Sequence, residues 1–359
     1  MKTDRDEYYA VDLFCGGGGL SQGLKEAGFT VVSGVELDLG AAETYRENHP
    51  QTQLFVRDIR TIKGKDLVDT SPIGRIDLIA ACPPCQGFST LTTKYKREDE
   101  RNSLIFEFVR LVEEIRPKTI MMENVPGLAT GRGKSFFSKA LARLEAVGYV
   151  LDYKICDVAK YGVPQHRRRL VLLGALGKQI KVAEETHGLG KGRMPYRTVR
   201  NTISHIPKPT EFNSRIAEGG AVKTNWNVVR RLSRVNIERL KSLPSESDRR
   251  QLPDYLRPEC HKGNDKGFCN VYGRMKWDEP SPTITGGCTT FSKGRFGHPD
   301  QNRTISVLEA ALLQTFPETY VFQSPSIEVT CKIIGNALPP EFAKTMAKQC
   351  MLALKAEER

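Results

Sequence analysis

The sequence predicts an α/β chain built on a doubly wound, mixed sheet and joined to a smaller, irregular second domain. Three observations lead there. Apolar strands alternate with helical segments through the first half, a glycine-rich loop follows the first strand and opens a helix, and the alternation stops near residue 177.

Taken in order, Tyr8 to Phe14 reads as a buried strand, Ser21 to Ala27 as a helix stopped at Gly28, and Thr30 to Leu37 as a second strand. Ile76 to Cys82 and Thr119 to Val125 follow as strands. Between them Leu104, Ile105, Phe108, Leu111, Val112 and Ile115 recur at helical spacing. Tyr149 to Val158 and Arg169 to Leu176 form a hairpin that closes one edge of the sheet. Residues 178–302 are rich in Pro, Gly, Asn and Arg and show no such periodicity, so they form a separate small domain. Helical pattern returns at Ser306 to Phe316 and at Pro340 to Leu354. The expected division is therefore 1–177, 178–302 and 303–359, with the last segment returning to complete the first.

A chain of 359 residues that is 39% hydrophobic can bury a real core. Its longest apolar run, near Leu170 to Leu176, is too short to span a bilayer, and Met1 to Tyr9 is charged where a secretion signal would be apolar. A soluble, cytoplasmic monomer without membrane contact is expected. Nine cysteines without a secretion signal argue for reduced thiols, not a disulfide framework. The net charge of +12 is concentrated: residues 178–302 hold 23 Lys and Arg against 13 Asp and Glu. That pattern points to a polyanionic partner, with a solvated basic surface as the alternative on charge alone.

The loop Asp12-Leu13-Phe14-Cys15-Gly16-Gly17-Gly18-Gly19-Leu20 lets backbone approach a ligand where a side chain would collide. Glu36 ends the next strand, where a carboxylate can receive the two hydroxyls of a ribose. Together they describe a pocket for an adenosine-like cofactor. A dinucleotide-binding oxidoreductase is the rival, but the G-x-G-x-x-G spacing is missing, which favours a ligand without a pyrophosphate.

Ile76 to Cys82 runs into Pro83-Pro84-Cys85-Gln86-Gly87-Phe88-Ser89, and a cysteine just past the carboxyl end of a central strand sits in the ligand crevice. Cys85 is a candidate nucleophile; a small buried hydrophobe is the bland alternative, and Cys82 with Cys85 also has the C-x-x-C spacing of a redox pair. Glu123 ends the neighbouring strand, where a carboxyl with a raised pKa could hold a proton against a ring nitrogen. In Gln165-His166-Arg167-Arg168-Arg169, strand alternation puts Gln165, Arg167 and Arg169 on one face and His166 and Arg168 on the other. His166 has no histidine partner at metal-ligand spacing. Cys260, His261 and Cys269 lack a fourth ligand at useful spacing, so no metal is expected.

In order along the chain, these segments resemble the prokaryotic type of the DNA (cytosine-5-)-methyltransferase family. Asp12 to Gly19 is similar to its motif I, Glu36 to II, Arg57-Asp58-Ile59 to III, Pro83-Pro84-Cys85-Gln86 to IV, Glu123-Asn124-Val125 to VI and Gln165-x-Arg167-x-Arg169 to VIII. Arg303 to Ser306 with Glu309, Leu313-Gln314 and Phe316-Pro317 resembles IX, and Gly335-Asn336-Ala337-Leu338-Pro339-Pro340 resembles X. Residues 178–270 fall outside the match, and the family's variable region coincides with the basic segment. The run of four glycines, and Ala337-Leu338 where Ser-Val is common, are the departures.

The resemblance implies a Rossmann-like S-adenosylmethionine-dependent methyltransferase fold with a target-recognition domain over 178–302. It implies methylation of C5 in a flipped-out cytosine of a specific double-stranded DNA sequence, through a covalent Cys85–C6 adduct. Glu123, Arg169, Arg167 and Gln165 would be the other catalytic residues. Phe14, Gly16, Gly19, Leu20, Glu36, Asp58, Ile59, Pro84, Leu104, Asn336 and Leu338 would hold S-adenosylmethionine. Gln86, Ser89, Arg168, Arg274, Thr283, Thr285, Gly286, Lys293 and Arg295 would touch DNA, and the charged stretch Thr92 to Asn102 would close over it. A nucleoid-associated location and a cognate restriction endonuclease, or a defence role, fit that reading. The tRNA-methylating branch of the family and a catalytically inactive DNA-binding module are the alternatives. The first usually carries a Cys-Phe-Thr element absent here, and an intact Cys85 and Glu123 argue against the second.

Overall fold

The computed structural model describes residues 7–84, 103–212, 226–245, 247–263, 271–324 and 326–356. Cys85, Gln86 and Ser89, the stretch Thr92 to Asn102, and Cys269 lie outside the described residues. Contacts divide the chain into two units, the first holding residues 1–161, 168–186 and 338–359 and the second 162–167 and 187–337. Residues 303–337 thus group with the second unit, where the sequence reading joined them to the C-terminal return. Local pairing explains this: Thr304 bridges to Gly297 and the Leu308 N–H donates to the Trp226 carbonyl.

Seven strands build the sheet of the first unit: β1 (Tyr8–Leu13), β2 (Phe29–Glu36), β3 (Gln53–Val56), β4 (Leu78–Ala81), β5 (Thr119–Asn124), β6 (Tyr149–Asp157) and β7 (Arg168–Leu176). Their order is β3-β2-β1-β4-β5-β7-β6. The first five pair in parallel, and β7 runs antiparallel to both β5 and β6. This is the doubly wound, mixed sheet expected, with its antiparallel pair at one edge. Every residue of β1, β4 and β5 is buried, as parallel strands covered on both faces require.

The helices of the described residues are α1 (Gly19–Glu26), α2 (Leu39–Asn48), α3 (Gly64–Val68), α4 (Ile105–Ile115), α5 (Lys134–Ala146), α6 (Val199–Ile203), α7 (Arg234–Ser242), α8 (Val307–Leu313), α9 (Ile327–Asn336) and α10 (Pro340–Lys355). In α4 the apolar stripe buries Ile105, Phe108, Val109, Leu111 and Val112, and burial of each large side chain contributes roughly 1.5–3 kcal/mol. Arg143 of α5 forks onto Glu113 of α4 at 2.9 and 2.6 Å. The C-terminal return is set by one glycine. A Cβ on Gly23 of α1 would come within 2.5 Å of Ala343 Cβ and 2.6 Å of the Pro340 carbonyl, so α10 packs against bare backbone. No helix among the described residues is long and apolar enough to cross a membrane.

The second unit has little regular structure. β8 (Thr210–Phe212) and β9 (Val228–Arg230) form a two-stranded parallel sheet, and short helices and turns make up most of the rest. Backbone groups that a ladder would satisfy must find side chains instead.

Candidate active site

The carboxyl ends of β1, β2, β4 and β5 line up in register, with Leu13 paired to Val35 and Ala81, and Ala81 to Met122. Strand order reverses between β1 and β4, which is where an open α/β sheet leaves a crevice for a ligand.

Beyond β1 the backbone turns sharply: Phe14, Gly16 and Gly18 have φ of 60°, 54° and 92°. A Cβ on Gly16 would meet nothing within 4 Å, so the loop faces open space. Glu36 organises this loop. Its Oε2 accepts from the Gly16 N–H at 2.8 Å, and its Oε1 accepts from Leu37 and Asp38 at 2.8 and 2.7 Å. Three accepted bonds leave acceptor capacity on the carboxylate for a hydroxyl. Gly19 and Leu20 are buried at the start of α1, behind the loop.

Beneath the loop lies a buried polar network that sequence reasoning missed. Asp12 is fully buried; its Oδ2 accepts from Ser21 Oγ at 2.7 Å, and Ser21 Oγ lies 2.8 Å from the Tyr45 hydroxyl. Asp12 Oδ1 is buried with no hydrogen-bond partner among the described residues. Burial pushes the Asp12 carboxyl up to about 7, with the Glu36 charge adding to the rise and Ser21 opposing it. His49 Nε2 sits 3.2 Å from the Gly18 carbonyl, and burial, helped by the Lys25 charge, holds the ring neutral with a pKa of about 3. The only signal in the sequence was a polar residue interrupting an apolar strand.

Asp58 caps the turn that follows β3, and its carboxylate is gripped by Arg60 at 2.6 Å; Ile59 is buried beside it. Arg110 of α4 donates to the carbonyls of Ile59 and Ile62 at 3.1 and 2.9 Å, tying that turn to the helix that Leu104 precedes. Phe14 and Leu104 are partly buried against the same core, and Pro84 is half-buried past β4. Leu338 is buried in the first unit, while Asn336 ends α9 in the second, exposed.

At the end of β5, Glu123 is buried and its Oε1 pairs with Arg169 Nε at 2.7 Å. Strand β7 places Arg169 there, with Asn124 opposite Leu170 in the antiparallel register. Asn124 Nδ2 donates to the Pro83 carbonyl at 3.1 Å, bracing the segment that leads to Cys85. Cys82 follows Ala81 as Glu123 follows its partner Met122, so the two occupy neighbouring positions, and the Glu123 charge acts on the Cys82 thiol. Burial pushes that thiol well above the ordinary thiol range, as do the negative charges of Glu123 and Asp12.

One expectation about strand alternation is corrected. Strand β7 starts at Arg168, so alternation does not extend back to Gln165. Gln165 is fully buried in the second unit, donating to Gln314 Oε1 at 2.7 Å and accepting from the Ile284 N–H at 2.8 Å. Arg167 is also buried there, donating to the carbonyls of Ile284 and Gly335 at 2.8 and 2.9 Å. Both brace groups within the second unit, and neither belongs to β7. Arg274, expected to read DNA, is buried, and its guanidinium donates to the carbonyls of Leu240, Leu243, His298 and Gln301 and to Asn302 Oδ1. All three guanidinium nitrogens are engaged within the second unit, so the side chain braces backbone there. Among the other described DNA candidates, Arg168, Thr285, Gly286 and Lys293 are exposed, and Arg295 and Thr283 are half-buried, with Thr283 Oγ1 donating to the His166 carbonyl.

A family model described as C-5 cytosine-specific DNA methylase matches residues 8–352. The Type II methylase M.HgiDII of Herpetosiphon aurantiacus is 36% identical over 342 residues, covering 94% of this chain and 93% of that protein. The Type II methyltransferase M.AgeI of Thalassovita gelatinovora is 30% identical over 428 residues, covering 96% and 99%. Among solved structures, a candidate DNA modification methyltransferase encoded within an E. coli prophage aligns with a TM-score of 0.73 at 23% identity, over 97% of this chain and 100% of that one. A mutant of Spodoptera frugiperda DNMT2 aligns at 0.65 and 16% identity, over 96% and 100%. At those identities the two structures speak for the fold.

Proposed function

Because the chain belongs to the C-5 cytosine-specific DNA methylase family, we propose that it methylates C5 of a flipped-out cytosine within a specific double-stranded DNA sequence, using S-adenosylmethionine, as the modification half of a restriction or defence system. The buried Glu123–Arg169 pair carries this reading: a carboxyl and a guanidinium, 2.7 Å apart, at the end of the strand beside the one that leads to Cys85.

Carbon 5 of cytosine is a poor nucleophile. In the proposed reaction the Cys85 thiolate adds to C6, Glu123 holds a proton against N3, and Arg169 binds the O2 side, so electron density gathers at C5 in an enamine-like intermediate. Once C5 carries the methyl group, loss of its proton to water or another base and expulsion of the Cys85 thiolate complete the turnover. The ring must offer both faces, which requires flipping it out of the duplex at a cost of a few kcal/mol. Phosphate contacts from the basic second unit offset that cost.

The residues present suit the donor. The open Gly16 turn and the remaining acceptor capacity of Glu36 fit an adenosine-bearing ligand, with Phe14, Gly19, Leu20, Asp58, Ile59, Pro84, Leu104 and Leu338 as proposed wall residues. When bound, S-adenosylmethionine supplies an electrophilic methyl group.

Radiolabelled methyl transfer to duplex DNA and to tRNA, measured side by side, tests the substrate; label in tRNA alone would overturn it. A duplex carrying 5-fluorocytosine should trap a covalent adduct through Cys85. Bisulfite sequencing of DNA from a host expressing the protein should reveal the modified base and its flanking sequence.

A further inference from the structure

We propose that Cys82 is a positioning residue for Glu123: its thiol, three residues before the nucleophile, donates a hydrogen bond to the Glu123 carboxylate and, with Arg169, fixes how that carboxyl group is presented to the base. The proposal rests on the catalytic role assigned to Glu123 above.

The sheet creates this contact. Ala81 pairs with Met122, so the residues that follow, Cys82 just past β4 and Glu123 on β5, emerge side by side at the carboxyl edge. The Cys82 N–H continues the strand by donating to the Leu13 carbonyl at 3.2 Å, and Asn124 holds the Pro83 carbonyl from the other side. Arg169 takes Oε1 of Glu123 from β7. The carboxyl group thus lies between the Arg169 guanidinium from β7 and the Cys82 thiol just past the end of β4.

A thiol serves as a donor only while protonated. The charged groups around it keep it so: Glu123 from β5 and Asp12 from β1 raise its pKa beyond what burial does, and the Arg169 charge opposes them more weakly. That is the opposite of the electropositive setting that activates a cysteine of a redox pair. The Cys82-x-x-Cys85 spacing therefore joins a neutral donor to the nucleophile.

The test uses Cys82→Ala and Cys82→Ser in the full chain, with a duplex that the wild type methylates. Cys82→Ala should lower kcat about tenfold, leave KM for the donor and Kd for DNA within about twofold, and move the alkaline limb of the kcat pH profile, because one donor to a catalytic carboxyl is gone. Cys82→Ser keeps a donor and should restore both kcat and the profile. Wild-type kcat and profile in Cys82→Ala, or a folded Cys82→Ser no better than the alanine variant, would overturn the proposal. Iodoacetamide labelling followed by mass spectrometry gives a reading that needs no turnover. Cys82 should label several-fold faster in Glu123→Gln than in wild type, since removing the facing charge frees the thiolate; equal rates would overturn the contact. If the wild type methylates no DNA, the functional reading fails, and the labelling rates still decide the role of Cys82.

Discussion

The two units bury charge in different ways. The first unit buries Asp12 beneath the glycine loop, where it has one hydroxyl partner and an orphaned oxygen. A carboxyl group can meet the cost of burial by keeping its proton, and Asp12 does so up to about pH 7. The second unit buries Arg167, Arg249, Arg274 and Arg303. A guanidinium has no neutral form to retreat to, so it must be hydrogen-bonded. Arg274 reaches carbonyls on four residues, and Arg303 forks onto Glu309 with two bonds of 2.7 Å. In a unit with few ladders, arginines close the hydrogen-bond account of irregular backbone. Basic residues there are consequently of two kinds, and the surplus of positive charge over 178–302 overstates what DNA can meet.

The largest effect is expected from the segment that joins the crevice to the chemistry. Cys85→Ala should reduce methyl transfer by at least about 10⁴-fold while leaving donor binding, followed by isothermal titration, within about twofold. Appreciable residual methylation would remove the nucleophile from the proposal.

Next in size is the pH dependence of the first unit. Asp12 titrates near 7 when folded against 3.8 ordinarily, so the folded chain holds more protons between those values and stability falls as pH rises through that window. His49, held neutral to about 3 against an ordinary 6.5, contributes the opposite slope below pH 6.5 and hides part of the effect. The comparison with Asp12→Asn isolates it. The variant should gain stability relative to wild type from pH 4 to 7, by up to roughly 4 kcal/mol, and the difference should be flat above pH 7. Urea unfolding across that range checks it; a pH-independent difference would mean that Asp12 is ionised throughout.

The second unit should respond to truncation more than to pH. Arg274→Met removes the donors to five acceptors and should cost about 3 kcal/mol, with little dependence on pH between 6 and 9. A stable variant that had lost sequence selectivity would return Arg274 to the DNA-reading set.

The same contrast explains what the sequence disclosed. The glycine loop and the largely apolar runs of β2 and β5 locate Glu36 and Glu123 at strand ends, because a carboxylate marks where each run stops. The fate of a long polar side chain follows from acceptors far along the chain, and no local pattern encodes them. Arg274 meets carbonyls from residues 240 to 301. Arg167 and Arg169, two residues apart, diverge because β7 starts between them. Cys82 was legible only as half of a spacing; its place beside Glu123 follows from the alignment of β4 with β5.

The smallest expected effect sharpens the division among the basic residues. Lys293 is exposed, and it follows the Thr283 to Gly287 segment, whose backbone meets Gly335: a Cβ there would lie 2.2 Å from the Gly286 nitrogen. Because the side chain reaches solvent from a braced loop, Lys293→Ala should leave Tm unchanged. If Lys293 reads a base edge, binding to the recognition sequence weakens by about 1 kcal/mol while non-specific binding hardly moves. If it meets a phosphate instead, every duplex loses affinity alike and the slope of log K against log salt falls by about one. Titrations of cognate and scrambled duplexes at several salt concentrations separate the two. Loss confined to the cognate duplex is the expected result, and it would place reading in the exposed lysines and support in the buried arginines.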